Sequence, residues 1–243
     1  MKNFNIAIAF LVIIALHSCK KYENQKYIPN PNLKTDYVNP YDSIGIVHNV
    51  GLDYVLSNNL LSETPSDMYE DMLRGIEDQG IIYNWPTFST VESIWSPIES
   101  SILNDSTYSL TICAQNLYNS GSINMSQLYW FMKLDTIVSQ KFGLANYTSF
   151  IVAFDNDVHS TTNLTNSQKA IIYIGSSIAK HSGEFWAEYA SQLKSTQYKW
   201  WQWGGIIGAD IGGGILGAGG GPGGSIGAGA CCSALAMAVF TAE

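Results

Sequence analysis

From Gly204 to Phe240 the chain runs 37 residues with a single charged side chain, Asp210. Fourteen of its 22 glycines fall between Gly204 and Gly229, many of them four apart: Gly204, Gly208 and Gly212, then Gly213, Gly217 and Gly221, then Gly219, Gly223 and Gly227. In water a helix this rich in glycine is disfavoured, by up to about 1 kcal/mol per Gly relative to Ala. Glycines at i and i+4 nevertheless let a second helix approach closely, and in lipid the backbone must bond within itself. Ile206, Ile207, Ile211, Ile215 and Leu216 supply apolar surface. Pro222 divides the stretch into two arms of eighteen residues. As helices these arms reach roughly 27 Å each, close to the ~30 Å hydrocarbon core of a bilayer. A Gly-rich helical hairpin is the expected shape.

Three placements of this tail satisfy the pattern. It inserts into a membrane, it docks on the rest of the chain, or it remains a flexible end. Trp200, Trp201 and Trp203 precede it, three of the seven tryptophans within four residues. They form an interfacial belt in the first case and ordinary core in the second. Asp210 opposes insertion, at about 2.5 to 3.5 kcal/mol near the middle of a membrane helix. The candidate membrane or packing contacts are Trp200, Trp201, Trp203, Gly204, Gly208, Gly212, Gly213, Gly217 and Gly221. Their spacing resembles the glycine-zipper segments of class II bacteriocin-like peptides and small membrane-associated envelope proteins, over about a sixth of the chain. That resemblance implies close helix packing, membrane insertion and a possible homo-oligomer through the zipper.

Ahead of the tail, helix starts recur. Asn39-Pro40-Tyr41-Asp42 and Thr64-Pro65-Ser66-Asp67 each place a capping side chain, a proline and an acid in the order a helix N-terminus favours. Ser89-Thr90-Val91-Glu92, Asn124-Met125-Ser126-Gln127 and Thr165-Asn166-Ser167-Gln168 have the form of a capping box. The apolar residues follow a helical period: Ile44, Val47, Gly51, Tyr54 and Val55 share one face, Leu128, Phe131, Met132, Ile137 and Val138 another, and Ile171, Ile174, Ile178, Phe185 and Trp186 a third. Further helices are expected near Ser106 to Asn119 and Asn146 to His159. Phe150 to Phe154 is the one run with strand character, and its isolation favours a helix. The expected fold class is all-α, a helical bundle of roughly seven helices over residues 39–197, followed by the Trp cluster and Gly-rich hairpin of residues 198–243.

The other end indicates location. Met1-Lys2-Asn3 is a short basic start, Phe4 to Leu16 is uncharged, and Leu16-His17-Ser18-Cys19 follows directly. This stretch resembles a bacterial lipoprotein signal, the lipobox, with His17 departing from the small or aliphatic residue usual at its position. The resemblance implies cleavage of residues 1–18, a mature N-terminus at Cys19 carrying diacylglycerol and an N-acyl chain such as palmitate, and a cell-envelope protein, expected at the outer membrane. An uncleaved N-terminal helix or ordinary secretion is the alternative. Residues 19–38 hold Pro29, Pro31 and several Asn and Lys without apolar periodicity, and read as a lipidated tether. Lys20-Lys21-Tyr22-Glu23 resembles the charged sorting signals of some surface-displayed lipoproteins.

Cleavage before Cys19 would remove Lys2 and no acid, leaving eleven basic against twenty acidic side chains and a formal charge of minus nine. That balance argues against a nucleic-acid partner. An apolar content of 46% excludes disorder throughout. Cys113, Cys231 and Cys232 are too few and too unevenly spaced for a disulfide framework. For a metal the nearest groupings are Asp155, Asp157 and His159, or His181, Glu184 and Glu188; they lack the Glu-x-x-His order of carboxylate-bridged bundles, so no metal is expected. Gly212-Gly213-Gly214 has no Gly-Lys-Ser/Thr after it, and no nucleophile elbow appears. No catalytic residue and no cofactor are therefore assigned. The reading is of a membrane-anchored, exported, non-enzymatic binding or membrane-interacting module. Its rivals are a bacteriocin-like permeabilising effector and an enzyme with a site in the helical part, which a polar pocket gathering His48, His159 or His181 with carboxylates would favour.

Overall fold

The computed structural model describes residues 37–104, 109–192 and 200–241. The expected signal peptide, Cys19 and all of the tether up to residue 36 lie outside them. Among the described residues every regular element is helical. In chain order these are α1 (Asp42–Ser57), a 3-10 turn (Leu60–Ser62), α2 (Pro65–Glu77), α3 (Phe88–Asn104), α4 (Leu110–Asn119), α5 (Met125–Lys141), α6 (Tyr147–Ser160), α7 (Asn166–Gln192), α8 (Trp200–Gly217), a second 3-10 turn (Ala218–Gly220) and α9 (Gly221–Thr241). Among the described residues seven α-helices thus precede the tail, and the run at Phe150 to Phe154 is helical.

Local chemistry accounts for most of the starts. Thr64 accepts the Asp67 backbone N–H at 3.3 Å, with Pro65 at the first helical position. Asn124 and Gln127 exchange side-chain and backbone hydrogen bonds at 3.0 Å each, a complete capping box. Thr165 and Gln168 do the same at 3.3 and 2.8 Å. Two starts differ from the expectation. Ser89 does not cap, because α3 already begins at Phe88, where the Thr87 carbonyl accepts the Thr90 and Val91 N–H groups. Nor does Asn39 cap the first helical turn: its Oδ1 takes the Tyr41 N–H, while its Nδ2 is drawn into a buried cluster with Asp155, Tyr173 and Ser176.

The apolar faces are mostly the buried ones. Ile44, Val47, Gly51 and Val55 of α1, Leu128, Phe131 and Val138 of α5, and Ile174, Ile178 and Trp186 of α7 lie in the core. Met132 does not, being 46% exposed; Leu134 fills the α5 core position instead.

The tail is the centre of the bundle. α8 and α9 run antiparallel along one another: Gly217 faces Gly224 across the turn, Gly213 faces Ala228 and Cys232, and Gly229 lies at the Asp210 carbonyl. Around this pair stand α1, α2, α3, α4, α5 and α7, while α6 covers α5 and α7. Every residue from 205 to 215 and from 223 to 237 is buried. A helix apolar on all sides must be enclosed by protein or lipid. Here the protein encloses it. The division expected between residues 197 and 198 therefore separates stretches of sequence that share one core.

Candidate functional site

Asp210, the one charge of the tail, is fully buried, and its carboxylate is the centre of the deepest polar cluster. Three partners reach it from two other helices. Ser182 and Trp186, one turn apart on α7, both donate to Oδ2, Ser182 through its hydroxyl and Trp186 through Nε1 at 3.2 Å. From α1, His48 brings Nε2 to 3.4 Å from Oδ1, with both side chains at 0% exposure. The opposite ring nitrogen, Nδ1, lies 3.1 Å from Oδ1 of Asn49, whose Nδ2 in turn donates to the His181 carbonyl at 2.8 Å. That donation orients Asn49 so that its oxygen faces Nδ1. The cluster ties α8 to α1 and α7.

Its geometry differs from that of a catalytic triad. In a serine–histidine–carboxylate triad the imidazole touches the hydroxyl and withdraws its proton. Here the carboxylate lies between them, and Ser182 is hydrogen-bonded to Asp210. His48 Nε2, Asp210 Oδ1, Ser225 Oγ and Ser233 Oγ are buried without a well-formed hydrogen bond, along with the Tyr173 hydroxyl.

A second polar group joins the start of α1 to the middle of α7. Lys180 Nζ donates to both oxygens of Asp42 at 3.0 and 3.1 Å, and His181 Nε2 lies 3.0 Å from Oδ1. Burial pushes the Asp42 pKa up, but the hydrogen bonds and charges of Lys180 and His181 outweigh it and hold the carboxyl below its ordinary value. Deeper in, Asp155 accepts from Ser176 Oγ at 2.5 Å and from Asn39 Nδ2 at 3.2 Å. Burial dominates there and lifts its pKa to about 6, against the opposing pull of those two hydrogen bonds.

The histidines are not gathered into one pocket. His48 goes to Asp210, His181 to Asp42, and His159 stacks on Tyr37 at 4.1 Å between ring centroids. The metal groupings weighed from sequence are likewise divided: Asp157 pairs with Lys133 at 2.6 Å, and Glu184 accepts from the Thr148 hydroxyl. Among the described residues no three His, Cys, Asp or Glu side chains are grouped to hold a metal ion.

Of the tail contacts read from sequence, Trp203 is core, its ring 5.7 Å from Trp186 and 6.4 Å from Phe142. The side chains of Trp200 and Trp201 lie outside the described residues. Gly213 and Gly217 are positions of close approach, since a Cβ on Gly213 would stand 2.6 Å from the Ala228 carbonyl oxygen and one on Gly217 would collide with Gly224. Gly208 and Gly212 are buried. Around Gly204 and Gly221 there is open space, and Gly221 serves the turn with φ +76°.

His48, Ser182 and Trp186 were not singled out together by sequence, because they meet only through the tertiary fold. One signal was present: a lone charge in a stretch of 37 residues requires a polar partner wherever it is buried. No protein-family model matches the chain, and neither the curated proteins nor the solved structures contain a match to it.

Proposed function

We propose that the chain is an exported lipoprotein of the bacterial cell envelope, anchored through acyl chains on Cys19 at the outer membrane, with a non-enzymatic helical part that interacts with a membrane. The observation that carries this reading is the cysteine at position 19, separated only by His17 and Ser18 from the uncharged run Phe4 to Leu16. Two or three acyl chains make a stable anchor where one is marginal. The polar clusters support a non-catalytic role, since the deepest of them joins helices to one another. Metabolic labelling with a fatty acid tests the anchor: Cys19→Ala should abolish the label and leave unprocessed precursor in the membrane fraction. Equal labelling of both chains would overturn it.

A second reading, a membrane-permeabilising effector, is favoured by the place of the tail. The chain's most apolar helices lie at the centre of a bundle whose other helices are amphipathic, an arrangement that stores membrane-compatible surface away from water.

A further inference from the structure

We infer that α8 and α9 are a stored membrane-spanning pair: the two helices leave the bundle together and cross a lipid bilayer, and the His48–Asp210 contact is the clasp that holds them in. This rests on the membrane-interacting reading above and names the part of the chain that carries it out.

Four observations converge. The pair has the dimensions of a span. α8 is 18 residues and α9 is 21, roughly 27 and 31 Å as helices. The segment Gln202–Val239 has a mean hydropathy of 1.3 in its most apolar window, 83% of which is buried inside the bundle. The pair also carries its own packing, because Gly213 meets Ala228 and Cys232 and Gly217 meets Gly224 within the pair. Small residues that let two backbones touch keep that contact in lipid, where burial of apolar surface gives no further drive. Thirdly, its single charge is held entirely by side chains outside the pair: His48 on α1, Ser182 and Trp186 on α7. Finally, the stored state is imperfectly satisfied where a permanent core would be expected to be complete. Among the described residues, Ser225 Oγ and Ser233 Oγ of α9 are buried with no hydrogen bond. Each leaves the packing around α9 short of one hydrogen bond.

The connecting turn is the leading edge. Gly219 and Gly220 are exposed at one end of the bundle, with nothing within 4 Å of a Cβ at either. If the pair spans, this turn must reach the far side of the bilayer while Gln202 and Val239 stay on the near side.

The test follows the turn. The full chain with Gly219→Cys is mixed with vesicles of phosphatidylethanolamine and phosphatidylglycerol, and labelled by a membrane-impermeant maleimide placed either outside or inside the vesicles. Labelling above that of the chain lacking the substitution is read in each case, with release of a trapped dye in parallel. The expected result is labelling from inside, and the added change His48→Ala, which leaves Asp210 with one partner fewer, should raise its rate roughly tenfold. Asp210→Asn, nearly the same shape without the charge, should do likewise and covers the case in which His48→Ala fails to fold. Labelling from outside only, in all of these chains, would overturn the inference. A Cys19→Ala chain in the same vesicles separates this from the anchor: inside labelling that survives there shows that insertion belongs to α8 and α9 even if Cys19 carries no lipid.

Discussion

Asp155 shows how one side chain can make the whole fold depend on pH. It is 4% exposed between Asn39 and Ser176, and burial raises its folded pKa to about 6 from the ordinary carboxylate value of 3.8. The folded state therefore holds the proton more tightly than the unfolded chain. Its contribution to stability is fully present below about pH 4, declines as the pH rises toward about 6, and is constant above that. A rise of this size in a carboxyl pKa corresponds to a decline of roughly 3 kcal/mol. Asp155→Asn has no proton to lose. The stability of wild type relative to this variant should fall by that order between about pH 4 and 7, measured by urea unfolding at each pH; a difference independent of pH would show that Asp155 is not strained by burial. Ser176 can satisfy the new amide, because its hydroxyl already has a second acceptor in the Tyr173 carbonyl at 3.1 Å. Asp42, held low by Lys180 and His181, contributes in the opposite sense and is common to both proteins, so it cancels in the comparison.

Among the elements, α8 and α9 separate two uses of glycine that look alike in sequence. Gly204 and Gly217 both belong to the four-residue spacing, yet a Cβ on Gly204 meets open space while one on Gly217 collides with Gly224. Gly204→Ala should therefore raise stability by about 0.5 to 1 kcal/mol, through helix propensity and a less flexible unfolded chain. Gly217→Ala should lower it by at least ~1 to 3 kcal/mol, since backbone stands on both sides of the contact and cannot rotate away. Thermal unfolding of the two single variants decides this, and equal effects would mean that the helices are not in contact there. The same contrast shows what was legible. Capping at Thr64, Asn124 and Thr165 could be read because cap and helix are sequence neighbours, and the apolar period of α1, α5 and α7 because burial there is one-sided. Asn39 could not, since its partner Asp155 is brought to it by folding. The placement of the tail was open for a different reason: a helix apolar on every side satisfies a protein interior and a bilayer equally well.

For the molecule as a whole, the tail at the centre means that the seven preceding helices have no complete core of their own. Ile178 of α7 touches Gly214, Gly175 faces Ile211 and Ile215, and Tyr69 of α2 lies against Gly227. Removing α8 and α9 would expose these contacts and take from His48 its Asp210 carboxylate. Backbone hydrogen bonds within α1 to α7 would survive, as would the local caps, so helix content is retained while fixed packing is lost. A chain ending at Tyr198 should therefore keep a helical far-UV circular dichroism spectrum, lose its near-UV signal, bind a hydrophobic dye and melt without a cooperative transition. Preserved cooperativity would show that residues 39–197 are a domain by themselves and that the pair is an appendage. The same reasoning links stability to membrane insertion. When the pair leaves, the amphipathic faces of α1, α5 and α7 lose their apolar partner, and a lipid surface is the nearest replacement. With Cys19→Ala to remove the acyl anchor, the chain ending at Tyr198 should accordingly bind phosphatidylethanolamine and phosphatidylglycerol vesicles in a flotation assay, through its exposed apolar faces, yet release no trapped dye, because α8 and α9 are gone. Dye release by this shortened chain would place the permeabilising segment elsewhere.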